Sequence, residues 1–172
     1  NTARISRALH PGYPWQVLDT LAVFGQGTRS YMRRRPTMST GCTISPHSII
    51  HSGVQLGKNV TIGPFCEIGV RNGRERSPYL QIGDDSTIRS HTTIYAGGSF
   101  GRAFTTGHGA TIRENMTVAD NVSIGSRCDL LGDTVIQAGT RLHSNVFIGK
   151  NSRISHYVWI FPGVTITDDP HP

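Results

Sequence analysis

Cysteines are few, charges are sparse and no long apolar run occurs, and each shortage removes a class of protein. Three cysteines make an odd count with no metal-type spacing, so neither a disulfide framework nor a thiolate-held metal is expected. Nothing approaches the roughly 20 apolar residues of a membrane-crossing helix, and the amino terminus lacks the charged-then-apolar order of a secretion signal. A cytoplasmic protein without membrane contact is the expectation. Charged residues make up 16% of the 172, which suits short strands and turns better than exposed helices. Acidic residues are the scarcer kind, 11 against 17 Lys and Arg, and leave a net charge of +6. That sign attracts nucleic acid, but the arginines cluster at Arg33, Arg34 and Arg35 and at Arg71, Arg74 and Arg76, where a segment end and a loop account for them. No nucleic-acid partner is expected.

What is present is a period. From Ile82 an aliphatic residue returns every sixth position through Ile88, Ile94, Phe100, Ile112, Val118, Ile124, Leu130, Ile136, Leu142, Ile148, Ile154, Ile160 and Ile166. Thr106 is the one polar member. Upstream the frame runs Ile44, Ile50, Leu56, Ile62 and Ile68. Six is neither the helical 3.6 nor a plain alternation of two, and glycine often follows the aliphatic residue, as at Gly57, Gly63, Gly83, Gly125 and Gly149. The unit is therefore a short strand and a tight turn. Two positions before the frame stand small or medium residues such as Val54, Cys66, Ala110, Val122, Cys128, Thr134, Val158 and Val164, which a period of two places inward with the frame. Cys66 and Cys128 accordingly read as core filling. Hexads of this kind signal a parallel β-helix, in which each repeat buries its apolar face against the next.

The frame divides the chain. Residues 1–40 carry no hexad and read as a segment that caps the first coil, with helical spacing between Trp15 and Met32; residues 41–172 are the repeat. Between Ile68 and Ile82 the interval of fourteen is two more than a pair of hexads, so a polar loop at 69–81, with Gly73 and Pro78, leaves the helix there. The frame reaches Ile166 shortly before the sequence stops, so either another subunit covers that edge or the chain is truncated.

The motifs "VTIGPFCEIG", "STIRSHTTIYAG", "TTGHGATIREN", "NVSIG", "RLHSNVFIG" and "VWIFPGVTITDDP" resemble the hexapeptide-repeat acyltransferases, especially those that N-acetylate nucleotide-linked amino sugars. The resemblance covers roughly residues 40–172. It implies an all-β, left-handed parallel β-helix, three hexads to a triangular coil, assembly as a homotrimer, and acetyl-CoA as the acyl donor to a small-molecule acceptor, with no metal. Residues eighteen apart would then stack at one corner about 4.8 Å apart. One column gathers Arg89, Ser90 and His91, then Gly107, His108 and Gly109, then Gly125, Ser126 and Arg127, then His143, Ser144 and Asn145.

His108 follows the polar frame residue Thr106 by two positions, where the resemblance puts a catalytic histidine; filling the turn or binding substrate is the alternative role for it. A catalytic histidine takes a proton from the attacking amine or hydroxyl, and an ordinary imidazole pKa suits that task. The backbone N–H groups near Gly125 and Ser126 stand where an oxyanion would need donors. His91, Arg127, His143 and Asn145 in the same column, with Arg113 and Glu114 in "IREN", are the candidate substrate contacts, although Arg113 and Glu114 also read as a plain ion pair. The loop arginines serve equally as a solvated loop or as partners for phosphates. Two rival readings are a noncatalytic or truncated β-helix used for assembly and a zinc protein resembling the gamma-class carbonic anhydrases. The second requires paired histidines five residues apart, and Arg113 and Ile148 occupy those places relative to His108 and His143.

Overall fold

The computed structural model describes residues 35–168, and over them the hexads form a left-handed parallel β-helix. Three seven-stranded parallel sheets make its faces. The first contains Thr37–Met38, Val54–Leu56, Leu80–Ile82, Ser99–Phe100, Thr117–Val118, Val135–Ile136 and Arg153–Ile154. The second contains Thr43–Ile44, Thr61–Ile62, Thr87–Ile88, Thr105–Thr106, Ser123–Ile124, Arg141–Leu142 and Trp159–Ile160. The third contains Ile49–Ile50, Glu67–Val70, Thr93–Tyr95, Thr111–Ile112, Asp129–Leu130, Phe147–Ile148 and Thr165–Ile166. Pairs such as Ser99↔Thr117 and Ile112↔Leu130 lie eighteen residues apart, one turn of the solenoid.

The frame row and the position two before it fill the interior. Ile68, Ile82, Ile88, Ile94, Ile112, Ile124, Leu130, Ile136 and Ile148 are fully buried, and Val54, Cys66, Ala110, Val122, Cys128 and Val146 join them. Burial pushes the Cys66 and Cys128 thiols up, so both stay protonated core groups. Val164 departs from the inward reading. It belongs to the last coil, where no described coil covers it, and is exposed.

Two boundaries also move. Thr37–Met38 pairs with Val54–Leu56, and Met38 takes the frame position six before Ile44, so the repeat begins inside the stretch read as non-repeat. The helical spacing between Trp15 and Met32, and most of the proposed cap, lie outside the described residues. At the excursion Gln55 pairs with Gln81, twenty-six residues on instead of eighteen. Ile68 and Ile82 are therefore consecutive steps of the solenoid, and the chain between Val70 and Leu80 is a long insertion into one corner. No helix among the described residues is long and apolar enough to cross a membrane.

Candidate functional site

The corner that follows the second sheet holds His108. Its ring is exposed, and Nδ1 lies 2.7 Å from Ser90 Oγ one coil below. Its backbone is gripped from the coil above, where the His108 N–H donates to Ser126 Oγ at 3.1 Å and its carbonyl accepts the Arg127 N–H at 2.8 Å. When Nδ1–H donates to Ser90 Oγ, Nε2 carries the lone pair, which is the form a general base needs.

Backbone strain gathers at the same corner. Each turn places its second residue in the left-handed region, and elsewhere Asn59, Asp85, Asn115, Asn121, Asp133 and Asn151 fill it, residues that tolerate it well. In the His108 column Gly109 (φ 65°) and Asn145 (φ 59°) hold the position in two coils, but Phe65 (φ 58°), His91 (φ 61°) and Arg127 (φ 54°) hold it in three others, against Ala103 and Tyr157 at other corners. Bulky side chains at positive φ cost roughly 1–2 kcal/mol each, and such outliers cluster at functional sites. The rings of His47, Phe65 and His91 stack along this edge, with centroids 5.5 and 5.2 Å apart.

Beside the corner, on the second sheet, a cavity of about 420 Å³ opens, a size that suits a small ligand. Its floor is low because Gly107 and Gly125 carry no side chain; a Cβ on either would collide with the backbone of Ser126 or His143 one coil on. Arg89 stands at one end and Arg141, His143 and Trp159 at the other. The Arg141 guanidinium lies 5.7 Å over the Trp159 ring, and His143 stacks against Phe161 with centroids 6.0 Å apart and planes within 4°. Cations with aromatic surface suit a ligand that joins a flat ring to phosphates.

The residues singled out from the sequence fall into three groups. His91, His108, Ser126, Arg127, His143 and Asn145 share the corner, and Arg127 Nε donates to Asn145 Oδ1 at 2.9 Å. Gly125 lines the cavity, but its N–H donates to the Leu142 carbonyl at 2.8 Å and is spent in the ladder. The Ser126 N–H has no partner among the described residues, which leaves it the better oxyanion donor of the two. Arg113 and Glu114 belong to the corner after the third sheet. Glu114 is buried there, its Oε2 accepting from Asn72 Nδ2 at 2.8 Å and from Arg113 Nε at 3.0 Å, and Arg113 lies over Tyr95. Their geometry is that of a loop anchor, apart from the His108 cluster.

Sequence reasoning left out Ser90, Arg89, Arg141 and Trp159 as site residues. Ser90 was visible one period before His108; the arginines and Trp159 become neighbours only when the sheet stacks them. Among the described residues no three His, Cys, Asp or Glu side chains come together as a metal site.

Residues 36–69 match the family described as bacterial transferase hexapeptide (six repeats). A UDP-3-O-acylglucosamine N-acyltransferase of Janthinobacterium sp. (strain Marseille) is 28% identical over 86% of this chain and 39% of its own length. An acyl-(acyl-carrier-protein)-UDP-N-acetylglucosamine O-acyltransferase of Bartonella bacilliformis is 31% identical over 72% of this chain and 36% of its own length. The chain thus spans less than half the length of these curated relatives. AntD, an N-acyltransferase from Bacillus cereus solved with dTDP and coenzyme A, superposes with a TM-score of 0.62 at 17% identity, covering 74% of this chain and 79% of that one. That likeness is one of fold, and it agrees with the solenoid described above. With a continuous hexad frame and a repeat model that matches residues 36–69, the chain is a hexapeptide-repeat protein, and both curated relatives named above are acyltransferases.

Proposed function

We propose that the chain transfers an acetyl group from acetyl-CoA to an amine of a nucleotide-linked sugar, with His108 as the general base. The contact between Ser90 Oγ and His108 Nδ1 carries this reading, because it holds the exposed imidazole in one orientation and, when Nδ1–H is the donor, leaves Nε2 with the lone pair a base needs. His108 Nε2 accepts a proton from the amine as its nitrogen bonds to the thioester carbonyl carbon. The carbonyl oxygen takes up the negative charge and is met by the Ser126 N–H. Collapse breaks the carbon–sulfur bond, and the proton on His108 passes to the departing thiolate. The amide and free coenzyme A leave.

Arg89 and Arg141 sit three strands apart in the second sheet, about 14 Å at the usual strand spacing. They serve phosphates at the two ends of the cleft, with Trp159 and His143 as flat surface. His91, Arg127 and Asn145 extend the contact along the corner. In a homotrimer of parallel solenoids the edge carrying His108 faces a neighbouring copy, so the cleft is finished by a second subunit.

The names of the relatives support the acceptor class; they leave two donors, a coenzyme A thioester and an acyl-carrier-protein thioester. The test is thiol release from each donor against a panel of nucleotide amino sugars, with wild type beside His108→Ala. Acceptor-dependent release with acetyl-CoA that falls by about 100-fold or more in the variant supports the reading. A loss below tenfold removes His108 as the base, release with the carrier protein alone replaces the donor, and no release with either favours a noncatalytic β-helix.

A further inference from the structure

Thr106 interrupts both the apolar frame and the hydrogen-bond ladder. Along the second sheet the residue after each strand donates its N–H to the frame carbonyl of the next coil. Ser45 donates to the Ile62 carbonyl at 2.9 Å, Gly63 to Ile88 at 2.8 Å, Gly107 to Ile124 at 2.6 Å, Gly125 to Leu142 at 2.8 Å and His143 to Ile160 at 2.9 Å. Arg89 breaks the series. Its N–H donates to the Thr106 side-chain Oγ1 at 3.0 Å, and the strands here pair only through Thr105↔Thr87, where neighbouring steps pair twice. The Thr106 carbonyl oxygen is left with no donor among the described residues.

A backbone carbonyl without a partner is uncommon in a folded interior, where more than nine in ten are satisfied. Valine, close to threonine in shape, would fit this apolar row as Val118 does two steps along the frame, and with no hydroxyl to intervene the Arg89 N–H would return to the carbonyl. The polar residue is thus what opens the ladder. Thr106 is buried, yet it lines the cavity together with Arg89 and Gly107, and it lies two residues before His108. Its hydroxyl is held in place by Thr92, whose Oγ1 lies 3.3 Å away and also donates to the Gly107 carbonyl at 3.2 Å. Two buried hydroxyls and an open carbonyl therefore sit behind the coil that carries the imidazole.

We propose that the Thr106 carbonyl oxygen is the docking point for the acceptor's amine, accepting one of its N–H bonds, and that the Thr106 hydroxyl serves to free that oxygen from the ladder. The proposal rests on the acceptor reading above and assigns the contact that selects an amine over a group with no hydrogen to donate. With one N–H on Thr106 and another toward His108 Nε2, the nitrogen lone pair is left for the thioester.

The experiment uses the full chain. Calorimetry compares binding of UDP- and dTDP-linked amino sugars with their deamino counterparts to wild type, Thr106→Val and Thr106→Ser, while hydrogen exchange follows the Arg89 amide. In Thr106→Val the Arg89 amide should exchange more slowly, the melting temperature should not fall, and affinity for the amino sugar should drop at least tenfold with no change for the deamino ligand. Thr106→Ser, which keeps the hydroxyl, should bind as wild type does. Unchanged amino-sugar affinity in Thr106→Val, unchanged Arg89 exchange, or equal wild-type binding of amino and deamino ligands would each overturn the proposal while leaving the cleft as an acceptor site. Failure of wild type to bind any of the nucleotide sugars would instead remove the acceptor reading, and this one with it.

Discussion

Ser90 shows how much chemistry one hydroxyl can hold. A histidine on a solvent-facing turn samples both tautomers and several ring angles, and only one arrangement presents a free Nε2 to the cleft. The 2.7 Å contact with Nδ1 fixes the ring angle, and Nε2 is free whenever Nδ1–H is the donor to Ser90 Oγ. Ser90→Ala should therefore lower kcat by roughly tenfold with little change in KM, because positioning of the base matters once the substrate is bound. Ser90→Thr should restore most of the rate. Steady-state kinetics on the three proteins check this, and a Ser90→Ala enzyme with wild-type kcat would show that the contact is incidental. The place of His108 at this corner was legible from the sequence, since a period of eighteen put it in the column richest in histidines. The role of Ser90 was not, because being eighteen residues away fixes a neighbouring coil without fixing which atoms meet.

The insertion between Val70 and Leu80 is held to the solenoid by a few specific contacts. Asn72 reaches the buried Glu114 carboxylate at 2.8 Å, and the Arg76 N–H donates to Asn115 Oδ1 at 2.8 Å. Asn115 Nδ2 in turn donates to the Arg74 carbonyl, and the Arg76 guanidinium pairs with Asp133 at 2.6 Å. Composition and the broken frame predicted a loop; its docking depends on a partner forty-two residues away in sequence, which no local pattern encodes. Burial alone would raise the Glu114 pKa, but hydrogen bonds from its own backbone N–H, Asn72 and Arg113 together with the Arg113 charge outweigh it and hold the carboxyl below its usual value. A carboxylate lowered on folding stabilises the protein above its unfolded pKa, and that contribution is lost as pH falls through the folded value. Glu114→Gln should cost about 1–3 kcal/mol at neutral pH and should flatten the acid side of the stability profile. Urea titrations between neutral pH and the acid end of the carboxylate range measure both. A variant that loses stability with acid as steeply as wild type would move the acid sensitivity to another group.

For the whole molecule, stacking makes stability a sum of neighbouring coils more than a property of one central core. The aliphatic frame made this legible from the sequence as far as the repeat and most of its inward positions, and it failed at the ends for a physical reason. A position facing inward is buried only when coils lie on both sides of it. Ile124 has coils above and below and is fully buried, whereas Ile166 closes the last described coil and stays partly exposed, as Val164 beside it does. Ile124→Ala should thus cost about 2–5 kcal/mol, the range for a large residue removed from a packed interior, and Ile166→Ala less than half as much. Chemical unfolding of the two variants decides between pictures of the fold. A large difference with a single transition in each case places the ladder's strength in its middle coils, while equal losses would mean that the last coil is packed as fully as the centre and that some further element covers it.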